Sequence, residues 1–297
     1  MRLVSTISTC QQSAYHPHMN RRFLVREAET VGPDIVRLVV EAPRVAAHAR
    51  PGQFVIVRPS ESGERIPLTI CEADADRGTI TLVVQAVGAT TMQINAKSVG
   101  EHLEDVLGPL GTPTEIEAFG TCVVVAGGVG AAIVLPVAAA LTHAGNSVIA
   151  VVGARDADHL ILLDEMTAAT AEVVVTTDDG SAGVHGFVTD ALSELIRERR
   201  IHYVFTAGPI PMMNAVAHAT KDDSIPTVAS LNPLMVDGTG MCGGCRVSVG
   251  GQSQFACIDG PEFDAHMVDF AALSKRNTAY LAFEACRLDK AREILDA

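Results

Sequence analysis

From residue 23 to about 116, short apolar segments alternate with turn signals. Residues 34–41 alternate and are rich in Val and Ile. Pro51-Gly52 turns the chain into 53–58. Segments 68–71 and 79–84 follow, with 74–78 as a hairpin loop. Several short β segments at this spacing predict an antiparallel barrel.

At Thr121 the rhythm changes. Residues 122–126 form a continuous apolar run, followed by a glycine turn and helical spacing over 131–142. Further strands are predicted at 147–153, 172–176 and 202–207, and helices at 188–199, with Thr189 or Asp190 near its start, and at 212–220. Strands buried on both faces and alternating with helices predict a doubly wound parallel sheet. The boundary between the two rhythms falls at 115–120. Beyond Pro226 the chain becomes Gly-rich and Cys-bearing, and 269–297 returns to helical spacing, with Tyr280, Leu281 and Phe283 on an apolar face that either packs on its own domain, the preferred reading, or docks a partner. The expected organisation is an extension over 1–18, a barrel over 19–117, a nucleotide-type domain over 118–225, a cysteine segment over 226–268 and a helical tail over 269–297. No internal repeat or low-complexity stretch is visible.

Composition narrows the function classes. In 297 residues, 22 Lys and Arg against 35 Asp and Glu leave a formal charge of −13, and no basic face marks a nucleic-acid or anionic-membrane binder. No apolar run reaches the ~18–20 residues that span a bilayer. Arg21-Arg22-Phe23-Leu24 is followed by Arg26, Glu27 and Glu29 where an export signal needs an apolar stretch. Seven cysteines without such a signal argue against a disulfide framework and for a reducing compartment, the cytoplasm.

Three of these cysteines carry chemistry. Asp237-Gly-Thr-Gly-Met-Cys242-Gly-Gly-Cys245 is followed after eleven residues by Cys257. Thiolates are soft ligands, and Gly-rich loops let backbone wrap a small cluster. Plant-type [2Fe–2S] spacing is C-x4-C-x2-C with a distant fourth Cys. Here Asp237 stands at the first position with the intervals kept, and its carboxylate matches the charge of a thiolate. Zinc is the alternative, with His266 as the nearby fourth ligand.

A second signal is Gly127-Gly128-Val129-Gly130, between an apolar strand and a helix. Glycines there let backbone N–H groups approach a pyrophosphate at the positive end of a helix, although a ligand-free tight turn looks the same in sequence. Gly208-Pro209 follows a later strand in the same register. Asp178 and Asp179 follow the third strand, where carboxylates would accept from a ribose 2′-OH and repel a 2′-phosphate. That favours NAD(H) over NADP(H); two solvated turn residues are the alternative.

Arg65-Ile-Pro67-Leu68-Thr69-Ile70, at a predicted strand start, reads alone as an exposed β segment. With Gly88-Ala-Thr90-Thr91, Gly108-Pro-Leu-Gly111, the glycine turn and the cysteine segment, it resembles the ferredoxin-NADP reductase-type flavoproteins of the dihydroorotate dehydrogenase electron-transfer class. Within that class the chain looks like the small subunits of NADH-dependent reduced ferredoxin:NADP oxidoreductases, also called sulfide dehydrogenases. The resemblance implies that Arg65 pairs with the FAD pyrophosphate, that Thr69 approaches flavin N5, and that the Gly88–Thr91 turn adds FAD contacts. It further implies that Gly127, Gly128, Gly130, Gly208 and Pro209 hold the pyridine nucleotide. The class proper has Cys where Asp237 stands.

The expected function is electron transfer between NAD(P)H, FAD and a [2Fe–2S] cluster, with a larger FAD/[4Fe–4S] subunit as partner and ferredoxin or polysulfide reached through it. A dihydroorotate dehydrogenase or glutamate-synthase-like partner is the alternative. Outside electron transfer, a redox-sensing protein or a zinc-stabilised binding module would use the same segments.

Overall fold

The computed structural model describes residues 23–280 and Leu288. Leu281 and Phe283, and the extension over 1–18, lie outside these residues. Two antiparallel sheets open the chain. One places Glu72–Asp74, Thr79–Gln85, Ile35–Glu41, Phe23–Gly32 and His102–Leu103 side by side; the other places Ile66–Thr69, Phe54–Arg58 and Asp105–Leu110 together. Their inward residues share one core, in which Val25, Leu38 and Leu82 of the first sheet meet Val55, Val57 and Val106 of the second. This is the expected barrel.

One strand differs from its expected position. The segment expected at 68–71 pairs as Ile66–Thr69, with Pro67 opposite Ile56. Pro67 lacks an N–H for a ladder, and an edge strand is where a sheet tolerates it; Ile66–Thr69 is the edge of its sheet.

The second domain is built on Thr121–Gly127, Ser147–Ala154, Glu172–Thr177, Tyr203–Ala207 and Thr227–Ser230, all parallel. Successive side chains leave opposite faces of a strand, and both faces are covered. Cys122, Val124 and Ala126 pack with the helix Ala131–His143. Val123 and Val125 pack with Val188–Glu198 and Ile210–Lys221. The continuous apolar runs follow from this two-sided burial. Asp190 starts its helix by accepting the Phe187 N–H at 2.9 Å.

The sheet runs on past residue 225. Thr227–Ser230 adds a parallel strand, and Glu262–Asp264 adds an antiparallel one beside it. The cysteine segment is thus inserted between two strands of the nucleotide-type sheet. It contains one hairpin, Arg246–Val249 with Gln252–Phe255, and its apolar residues share a core with Phe54 and Ile56 of the barrel and Met213 of the second domain. The helix Phe270–Asn277 follows, its first turn capped by the Asp269 carboxylate on the Ala272 N–H. Among the described residues no helix is long and apolar enough to cross a membrane.

Candidate functional site

A cleft of about 810 Å³ opens at the carboxyl ends of the parallel strands, where open α/β sheets bind ligands. It gathers Gly127, Gly128, Gly130, Asp178, Gly208 and Pro209, which the sequence scatters over more than eighty positions. Gly128 has φ +55° and turns the strand into the helix. Gly130 lies against the Ala207 carbonyl so closely that a Cβ there would collide with it. The two glycine turns therefore press together, and Ile133, from the first turn of Ala131–His143, lines the cleft beside Gly130.

Several cleft residues had no signal in the sequence pattern, Arg155, Phe187 and Gln85 among them. Arg155 follows the second strand and Phe187 precedes a helix; Gln85 comes from the barrel. The Arg155 guanidinium is engaged: Nε donates to Asp156 Oδ2 at 3.2 Å and the group also contacts the His159 ring. His159 hydrogen-bonds to the other Asp156 oxygen and holds that carboxyl below the usual carboxylate range. Asp178 faces the cleft. The carboxylate of its neighbour Asp179 accepts from Ser181 N and Oγ at 2.9 and 2.6 Å, which ties it into the local turn.

On the barrel, Thr69 ends its strand opposite Phe54, with Leu68 opposite Val55. Arg65 is half-exposed, 3.4 Å from Asp105, whose Oδ2 also accepts from Arg58 at 2.6 Å. The Gly88 turn is held by the Thr91 hydroxyl, which accepts from the Val87 and Gly88 N–H groups at 3.0 and 2.9 Å. Thr90 donates to Glu64 at 3.4 Å, so this turn sits beside the Arg65 strand start. Gln85 and Val87, which run into this turn, also line the nucleotide cleft. The barrel thus contributes to the cleft without Arg65, Thr69 or Gly88 lining it. Its half-exposed guanidinium and open backbone turn suit a dinucleotide such as FAD.

In the cysteine loop, Asp237 Oδ1 accepts from Thr239 N at 2.9 Å and Oδ2 from Cys242 N at 2.8 Å. These backbone donors, Thr239 first, hold its carboxyl below the usual range. Cys245 and Cys257 are buried with sulfurs 3.1 Å apart. Burial, then the neighbouring Cys245 thiol, push the Cys257 thiol up to about 12. Among the described residues no three Cys, His, Asp or Glu side chains gather to hold a single metal ion. Asp237 is bonded to the Cys242 backbone N–H, and the Cys245 and Cys257 sulfurs touch; one carboxylate and three thiols suit the four-ligand set of a [2Fe–2S] cluster. His266, the candidate fourth zinc ligand, is committed elsewhere: its Nε2 lies 2.9 Å from the Thr220 hydroxyl.

Residues 232–269 match the family described as the iron-sulfur cluster binding domain of dihydroorotate dehydrogenase B. Residues 124–218 match the oxidoreductase NAD-binding domain. A dihydroorotate dehydrogenase B (NAD(+)) electron transfer subunit homolog from Thermotoga maritima is 46% identical over 250 residues, covering 84% of this chain and 88% of its own. The electron transfer subunit from Bacillus caldolyticus is 32% identical, over 82% and 96%. A chain of the solved NADH-dependent reduced ferredoxin-NADP oxidoreductase, described in connection with flavin-based electron bifurcation, is 43% identical. It covers 91% of this chain and 97% of its own, with a TM-score of 0.87.

Proposed function

Since the chain belongs to the family of dihydroorotate dehydrogenase B electron transfer subunits, we propose that it carries electrons from NADH, through FAD and a [2Fe–2S] cluster, to a larger iron–sulfur flavoprotein subunit. The observation that best supports this reading is the donor set of one carboxylate and three thiols in a single segment, with Asp237 held by the Cys242 N–H and the Cys245 and Cys257 sulfurs 3.1 Å apart.

The residues bind and orient. Arg65 would neutralise the FAD pyrophosphate once drawn from Asp105, and the Gly88–Thr91 turn would offer backbone donors. Thr69 would present its hydroxyl to the flavin edge. Gly127, Gly128 and Gly130 would admit the pyridine dinucleotide pyrophosphate to the helix start, with Gly208 and Pro209 closing the other wall. When bound, FAD accepts the hydride and the cluster passes electrons singly. Asp237, Cys242, Cys245 and Cys257 would hold the irons, the three thiols giving up their protons as they do so.

NADH is favoured over NADPH because Asp178 faces the cleft and Arg155 is already engaged by Asp156 and His159. Cys242 is exposed, and apolar Met241, Val236 and Ile258 of the same segment are exposed at 88%, 48% and 46%. This rim is the electron exit and the partner contact. A ferredoxin- or polysulfide-linked partner is preferred over a dihydroorotate-oxidising one. Asp237 and the 43% identity to the ferredoxin-NADP oxidoreductase chain support that choice. The free thiols Cys71 and Cys122 suit the reducing cytoplasm.

Anaerobic titration of the purified chain, first with NADH and then NADPH, tests the reading by visible absorbance. The expected result is bleaching of flavin and partial loss of cluster absorbance, at far lower NADH than NADPH. A colourless, metal-bound protein would replace electron transfer by a zinc-stabilised module.

A further inference from the structure

Glu262 occupies the point where the barrel, the connecting segment and the cysteine segment meet. Its Oε1 accepts from the Thr114 hydroxyl at 2.7 Å, and a Cβ on Gly52 would collide with both groups. Thr112 N donates to Gly260 O at 2.7 Å, and Thr114 N to Pro51 O at 2.9 Å, which closes the junction around the carboxylate. On the sheet side Glu262 pairs with Ser230, a residue lining the nucleotide cleft. On the barrel side Gly52 leads within two residues to Phe54, the strand partner of Thr69. In sequence Glu262 lies five positions beyond Cys257.

The other side of Glu262 faces a second cavity, of about 690 Å³, at the amino ends of the parallel strands. Glu115, Tyr203, Lys221, Asp264 and His266 are the titratable groups around it. None of them compensates the carboxylate. Thr114 supplies its one hydrogen bond among the described residues, and burial pushes the carboxyl up to about 7 against that bond. A carboxyl with this balance sits at the edge of ionisation in neutral solution and has an open route to water.

We propose that Glu262 binds a proton from this cavity when the flavin and cluster receive electrons, and releases it when they leave. The inference rests on the electron-transfer reading above. The balance is simple. With FAD and the cluster bound, electrons from the reduced pyridine nucleotide would add negative charge to the protein. That charge raises the proton affinity of Glu262. A water-borne proton forms an O–H bond on the carboxylate, and no other bond of the side chain changes. Oxidation by the partner reverses the step.

The test is proton uptake during anaerobic NADH reduction of the complete holoprotein in weakly buffered solution containing an indicator dye, with absorbance followed in parallel. Wild type should take up a larger fraction of a proton per electron than Glu262→Gln, with the difference greatest near neutral pH. Thr114→Val removes the bond that favours the ionised form, so its uptake profile should move to higher pH; this variant serves if Glu262→Gln does not fold. Equal uptake by wild type and Glu262→Gln at equal bleaching, or an unmoved profile for Thr114→Val, overturns the proposal while leaving the electron-transfer reading intact. Absence of bleaching by NADH in wild type removes both.

Discussion

Gly130 lies directly beneath the Ala207 carbonyl, so the turn after one parallel strand is fitted to the end of its neighbour. Gly130→Ala would force them apart in the floor of the nucleotide cleft. Overpacking of this kind costs ~1–3 kcal/mol. The expected outcome is a lower melting temperature together with a raised KM for NADH, and a variant with unchanged KM would separate this glycine from the nucleotide.

Asp237 is anchored by two backbone N–H groups before any metal arrives. Asp237→Cys should retain the cluster with an altered potential, and Asp237→Ala should lose most of the visible cluster absorbance. Iron analysis and an EPR-monitored redox titration measure both. Full cluster content in Asp237→Ala would remove the carboxylate from the ligand set.

Arg155 is turned aside by Asp156. Asp156→Ala combined with His159→Ala removes both partners and leaves the guanidinium free beside the cleft, where a 2′-phosphate would find it. A charge-assisted bond is worth ~1.5–3 kcal/mol, so NADPH should bind at least ~10-fold more tightly with little change for NADH. Titration of the two nucleotides against the flavin spectrum decides this.

Glu262 also leaves a mark on stability. Its folded carboxyl sits at about 7 against the 4.5 of an ordinary glutamate. Below ~pH 4.5 the group is protonated whether folded or unfolded, and no penalty exists. As pH rises to about 7 the unfolded chain ionises first, so the folded state loses stability, and above that the loss is constant. Each unit corresponds to 1.36 kcal/mol, so Glu262→Gln should gain about 3 kcal/mol on wild type between these limits. Denaturant unfolding of both proteins across this range measures it, and a pH-independent difference would contradict the assignment.

The long buried strands were legible because burial on two faces leaves unbroken apolar runs, as in residues 122–126. The site glycines were legible for a related reason: each follows such a run. Thr227–Ser230 and Glu262–Asp264 were not. They are four and three residues long, and Thr, Ser, Glu and Asp dilute their pattern; only their neighbours in the sheet make them strands. Arg155 and Gln85 carried no local signal because their shared cleft is assembled from different domains. Cys245 and Cys257, twelve positions apart, lie with their sulfurs 3.1 Å apart, while His266 was near in sequence and turned to Thr220.

The last strand of the sheet, Glu262–Asp264, comes after the cysteine loop and pairs antiparallel with Thr227–Ser230. The loop is therefore tethered at both ends to one sheet, and its apolar residues pack on Phe54 and Ile56 of the barrel and Met213 of the second domain, contacts that would have to break for it to swing as a mobile carrier. A chain cut near residue 225 would also bare the Tyr203–Ala207 edge, an invitation to intermolecular pairing. Electron delivery in this fold is consequently a matter of where the partner docks, with the donor surface held at a fixed address.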